Sequence, residues 1–66
     1  MIIVKINGKT RETNAVNIDG LLKENNLVAS RVAVELNGVI INRDNFVNQR
    51  ISDNDNISII GFVGGG

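Results

Sequence analysis

Two Asn-Gly dipeptides, Asn7-Gly8 and Asn37-Gly38, each join a pair of runs rich in β-branched residues. A two-residue type I′ turn needs positive φ at both central positions, and Asn followed by Gly meets that demand at the least steric cost. Each dipeptide therefore predicts an antiparallel hairpin, and two hairpins in 66 residues leave room for little else. In the first hairpin, Ile2, Val4 and Ile6 share one face by period two, while Ile3, Lys5 and Asn7 share the other. Its return strand, Lys9 to Thr13, is almost wholly polar, as suits a sheet edge guarded by charge. In the second hairpin, Arg31 to Asn37 alternates with Val32, Val34 and Leu36 on one side, and Val39 to Ile41 returns.

Between the hairpins, Asn14 to Asn26 reads as the one real helix. Asn17 is the candidate N-cap, Val16, Ile18, Leu21, Leu22 and Leu27 make the apolar stripe, and Asn25-Asn26 offers a stop. Gly20 weakens the early turns by about 1 kcal/mol of propensity and supplies no capping-box carboxylate. Beyond the second hairpin, residues 42–49 are polar around Phe46 and Val47, which predicts a short helical turn or structured loop. Asp53 to Asn56 is a turn cluster that opens a last strand over 56–63, with Ile57 and Ile59 facing inward.

One helix can cover a sheet on one face only, so the fold class is α+β. A crossover through the helix would set the last strand beside the first and parallel to it. That arrangement is a β-grasp, the ubiquitin-like fold: a mixed sheet of four to five strands with one main helix packed on one face. Residues 1–63 are expected to form a single domain and 64–66 a flexible glycine tail.

Composition narrows the function. Seven Lys+Arg balance seven Asp+Glu, which argues against nucleic acid or an anionic membrane as the main partner. There is no Cys, His, Tyr or Trp, so thiolate nucleophiles, zinc–thiolate sites, the commonest general base and most stacking platforms are excluded. No apolar run approaches the roughly 20 residues of a membrane span. Met1 is followed at once by Ile2, Ile3 and Val4 with no basic leader, so a cytoplasmic location is expected. Such a chain is better suited to be a carrier, substrate or binding module than an enzyme, and no metal or cofactor of its own is expected.

The closing Gly64-Gly65-Gly66 is the feature folding least requires. Glycine costs the most backbone entropy to order and packs no side chain, but it passes through spaces closed to other residues. A tail of this kind presents a bare α-carboxylate on a thin arm able to enter another protein's active site. Taken alone, three terminal glycines read more simply as a frayed end.

Taken together, several residues resemble the ThiS family of sulfur carriers for thiamin thiazole synthesis. They are Asn7-Gly8, Arg31 to Gly38, Arg43 after Val39 to Ile41, Asp53-Asn54-Asp55 before Ile57, and the closing Phe62 to Gly66. The similarity spans the whole chain. Asn42 stands where the family usually has proline, Phe46 where Trp is usual, and Asn54 where Gly is common. The resemblance implies that Gly66 is adenylated by a ThiF-like enzyme of the ubiquitin-activating type, which uses ATP and Mg²⁺. A sulfur-donating persulfide protein then converts the adenylate to a thiocarboxylate, which passes its sulfur to a ThiG-like thiazole synthase. Gly65 and Gly64 would thread the partner's channel.

Partner binding is expected at Ile3, Ile60 and Phe62, which point away from the helix-covered face on neighbouring strands and would form one apolar patch. Asp53 to Asn56 echoes a calcium loop but lacks the Gly and distal Glu of a true one, and reads as a turn. Arg31, Arg43 and Arg50 read as scattered surface charges, with an acidic partner surface as the alternative. Two other functions share the fold: a molybdopterin-synthase small-subunit-like carrier, and a ubiquitin-like binding module with an unmodified tail.

Overall fold

Both Asn-Gly pairs turn the chain as their steric freedom dictates: Asn7 and Gly8 lie at φ 52 and 82, Asn37 and Gly38 at φ 52 and 87. The computed structural model describes residues 1–61. The first turn joins β1 (Ile2–Ile6) to β2 (Lys9–Thr13), with Ile2 opposite Thr13 and Ile6 opposite Lys9. The second joins β3 (Val32–Leu36) to β4 (Val39–Ile41), with Leu36 opposite Val39. Strand β5 (Asn56–Gly61) enters between the hairpins, parallel to β1 and antiparallel to β3, giving a five-stranded mixed sheet in the order β2-β1-β5-β3-β4. The expected α+β, ubiquitin-like β-grasp is the fold. The tail residues 64–66, and with them Phe62 and Val63, lie outside the described residues.

Helix α1 (Ile18–Glu24) is shorter than the predicted span of 14–26. Asn17 is its N-cap, with Oδ1 accepting the Gly20 amide at 2.7 Å. A Cβ at Gly20 would stand 3.0 Å from that oxygen, so the glycine read as a weakness makes room for the cap. At the other end, Leu27 N–H bonds the Leu22 carbonyl and Asn26, at φ 60, bonds that of Lys23, closing the helix in a Schellman turn. Val16 therefore precedes the helix and Leu27 lies beyond it. Val16 is exposed and Leu27 lies at the margin of exposure, so the stripe reduces to the buried Ile18, Leu21 and Leu22.

That stripe meets Val4, Val32, Val34, Leu36 and Ile57 from the sheet, each on the face its period assigned. The connector after β4 contributes Phe46, only 2% exposed, beyond a single 3₁₀ turn over Arg43–Asn45. It also completes the helix start. The carbonyls of Gln49 and Phe46 accept the amides of Ile18 and Asp19, and Val47 O accepts from Asn17 Nδ2. Unpaired amides at a helix N-terminus must find acceptors, and here the loop supplies them.

Strand β5 is held from both sides by the turn asparagines. Asn7 Oδ1 accepts the Ile59 amide at 2.8 Å and Asn7 Nδ2 donates to the Ile59 carbonyl at 3.1 Å. Asn37 Oδ1 accepts the Asn56 amide at 2.9 Å, and its own backbone amide donates to the Asn56 carbonyl at 2.7 Å. Asn7→Gly keeps the turn's φ but removes both side-chain bonds, so it should lower the unfolding free energy by about 1–2 kcal/mol. Urea denaturation measures this; an unchanged midpoint would show that the two bonds contribute nothing net.

Candidate functional site

Strand β5 carries the chain toward its terminus, and the geometry at its end decides what surrounds the tail. Gly61 still pairs with Val32 of β3, but on the other side β1 has already turned away, and Asn7 provides the last partner at Ile59. The position a Cβ would take at Gly61 has nothing within 4 Å. The described part of the chain thus ends on a central strand with open space beside it. Of the expected site residues, Gly66, Gly65, Gly64 and Phe62 fall outside the described residues.

Ile3 and Ile60 are both exposed, at 45% and 55%, on the face away from the helix. They do not form one patch. In the parallel register Lys5 lies beside Asn56, and the Ile3 carbonyl accepts the Asn54 amide, so Ile3 sits at the start of β5. Ile60 is six residues further along, about 20 Å at strand rise. Ile3 belongs instead with the turn at 53–54, where its amide donates to Asp53 Oδ1 at 2.8 Å.

The neighbours of Ile60 come from the second hairpin. Ala33 lies directly opposite it, and on the next strand Ile40, opposite Glu35, is 71% exposed. Ile60, half-buried Ala33 and Ile40 make an apolar strip across β5, β3 and β4, broken only by Glu35. Ile40 was legible in principle. The Asn37-Gly38 turn fixes the hairpin register, and Ile40 then opposes a glutamate that cannot face the core.

Asp53 Oδ1 and Asp55 Oδ2 accept the amides of Ile3 and Ser52, and Asp55 Oδ1 also accepts from Asn37 Nδ2. These carboxylates tie the turn that launches β5. Among the described residues no three His, Cys, Asp or Glu side chains are grouped to hold a metal ion, and no helix is long and apolar enough to cross a membrane.

The ThiS family model matches residues 4–66, almost the whole chain. The chain belongs to the ThiS family. A solved ThiS-family structure, the crystal structure of the thiamine biosynthesis protein ThiS from Geobacter metallireducens, superposes with a TM-score of 0.83 at 30% identity. That match covers 98% of this chain and 100% of that one. The solution structure of a thiamine biosynthesis protein from the same organism gives 0.81, also at 30% identity, over 98% and 88%. In sequence, the chain is 34% identical over 62 residues to a thiazole synthase of Paramagnetospirillum magneticum. The match takes in 92% of this chain and 19% of that protein, so the chain spans about one-fifth of its relative's length. It is also 39% identical over 54 residues to the uncharacterised protein ycf40 of Trieres chinensis, covering 82% of this chain and 74% of that one. ThiS-family chains are small sulfur carriers of thiamin biosynthesis. A carrier needs a stable globule, an accessible end and a recognition face. The described residues provide the globule and, in the Ile60–Ala33–Ile40 strip, a candidate face.

The strip and the core can be separated by truncation. Ile60→Ala should cost at most about 1 kcal/mol, the span of strand propensity. Ile57→Ala, three residues earlier and fully buried, should cost about 2–5 kcal/mol. Equal losses in chemical denaturation would place Ile60 in the core.

Proposed function

We propose that this chain is the sulfur carrier for thiazole formation, acting as a co-substrate through the carboxylate of Gly66. The observation that carries the reading is the course of β5. It is clamped through Ile59 and open at Gly61, and in sequence it leads directly into Phe62-Val63-Gly64-Gly65-Gly66.

A carboxylate is an anion at neutral pH and a poor electrophile. In this reading a ThiF-like adenylating enzyme transfers AMP from ATP, with Mg²⁺, onto the Gly66 carboxylate and releases pyrophosphate. A sulfur nucleophile then forms a C–S bond to the same carbon while the C–O bond to AMP breaks, and AMP leaves with the electron pair. One difficult substitution is thereby divided into two easier ones. In the cell the sulfur comes from a persulfide-bearing donor protein, whose attack gives an acyl disulfide; a second protein thiol then attacks the donor's sulfur, forming a disulfide with it and releasing the thiocarboxylate. Gly65 and Gly64 allow the arm to lie in the partner's channel, and Phe62 joins Ile60 among the residues that bind the partner. All ionic and nucleophilic catalysis belongs to the partners, so the carrier has no need of the His and Cys it lacks.

The acceptor is a thiazole synthase. A thiazole synthase of Paramagnetospirillum magneticum includes a stretch similar to nearly all of this chain. This supports a working contact between carrier and synthase and favours the thiazole route over a molybdopterin-synthase-like one. The reading places the carrier in the cytoplasm with its ATP-consuming partner.

Intact mass spectrometry tests the proposal. Incubated with the adenylating enzyme, ATP, Mg²⁺ and sulfide, the carrier should gain the mass difference between sulfur and oxygen, and deletion of Gly66 should abolish the gain. Ile60→Asp should fold but take up sulfur at least about tenfold more slowly, as expected when an anchor at an interface centre is lost. Thiazole formation supported by the Gly66 deletion would end the carrier reading.

A further inference from the structure

The chain's formal charge is zero, but its charges are not evenly placed. Strand order and direction sort the molecule into two ends. The end toward which β5 runs holds the first turn and the start of β2, the segment entering β3, and the segment leaving β4. These carry Lys9, Arg31 and Arg43, all exposed, against the single acid Asp44. The opposite end holds Ile2, the end of β2 and the turn before β5, where Glu12, Asp53 and Asp55 are interspersed with Arg11, Arg50 and the Met1 amine.

Two further observations bear on the cations. Among the described residues the ion pair present is Lys23–Asp19, on the helix surface, so Lys9, Arg31 and Arg43 are not neutralised within that part of the chain. Arg43 Nη2 also donates to the Ser30 carbonyl at 3.5 Å, which draws one guanidinium onto the segment that carries the other, Arg31. Bringing like charges together works against folding stability. A fold that does so with Asp44 as the single acid at that end is suited to an external anion.

We infer that Lys9, Arg31 and Arg43 form a basic rim around the tail exit that recognises an acidic surface on the enzyme that activates the tail. The inference rests on the carrier reading above and names the charge chemistry of its docking face. The apolar strip of Ile60, Ala33 and Ile40 runs alongside the rim, so the matching surface on the partner is apolar at its centre and bordered by Asp and Glu. The excess of cations at this end turns it toward such a surface before contact. Electrostatic steering of this kind acts mainly on the association rate.

The experiment measures association of the full-length carrier with its ThiF-like adenylating enzyme by stopped flow. The proteins compared are the parent, the triple variant Lys9→Glu/Arg31→Glu/Arg43→Glu, and Glu12→Lys at the far end. At roughly 0.01 M salt, where the screening length is about 30 Å, the triple variant should associate about tenfold or more slowly than the parent, with Glu12→Lys no slower than the parent. At roughly 1 M salt, where that length falls to about 3 Å, the three should converge. Circular dichroism and urea midpoints confirm that each variant is folded. As a second probe that leaves the sheet less perturbed, Arg31→Gln alone should reduce the salt dependence of the parent rate. Association that is indifferent to charge reversal at low salt overturns the inference while leaving the carrier reading intact, provided the parent still takes up sulfur. A parent that takes up no sulfur overturns both.

Discussion

The structure depends on holding β5 in the middle of the sheet. A parallel pair cannot be closed by a tight turn; it needs a long crossover, and here nearly the whole chain lies between β1 and β5. The two hairpins are local and can form early, whereas β5 must find both of them. Its ladder with β1 is short, Lys5 beside Asn56 and Ile6 beside Ile57, because β1 then turns at Asn7. The turn itself prolongs the ladder: the Asn7 carboxamide takes the place of the next backbone unit and bonds both polar groups of Ile59. Asn37 does the same for Asn56 from the β3 side. Each asparagine thus tolerates positive φ and closes a gap in the sheet. Neither Gly nor Ala could do both.

This double role explains why the local elements were legible and why their lengths and contacts were less so. Every non-glycine residue at positive φ among those described is an asparagine, at 7, 26, 37 and 54, and each stands where a chain reversal was expected. Period two correctly assigned Val4, Val32, Val34, Leu36 and Ile57 to the core. The helix read too long because apolar spacing continues through Val16 and Leu27, while capping bonds at Asn17 and the Schellman turn end it sooner. Phe46 stood in a polar stretch with no periodicity. Its burial comes from a tertiary demand, the open helix start that its segment covers.

The patch shows the sharper limit. Alternation tells which face a side chain takes but carries no information about how far one parallel strand slides along another. Ile3 and Ile60 were both rightly placed outward, yet the pairing of Lys5 with Asn56 separates them. The register within a hairpin is different, since a two-residue turn fixes it: Asn37-Gly38 sets Ile40 opposite Glu35. The β3–β5 pairing, which no tight turn dictates, then makes Ala33 and Ile40 the neighbours of Ile60. A net charge of zero is a similar case. A sum over the chain says nothing about where topology puts the charges, and strand order alone brings Lys9, Arg31 and Arg43 to the end toward which β5 runs.

A carrier must satisfy two requirements that conflict if the same residues serve both. Its globule has to be rigid, and its end has to suit another protein's pocket. Among the described residues the fully buried side chains end with Ile57, and the last side-chain clamp on β5 acts at Ile59. Packing among the described residues places little demand on Gly61 itself, where even a Cβ would meet nothing. The remaining link between the two requirements is Ile60. It pairs in the sheet through its backbone while its side chain faces outward, so the strand that completes the fold also presents an exposed residue of the candidate recognition face.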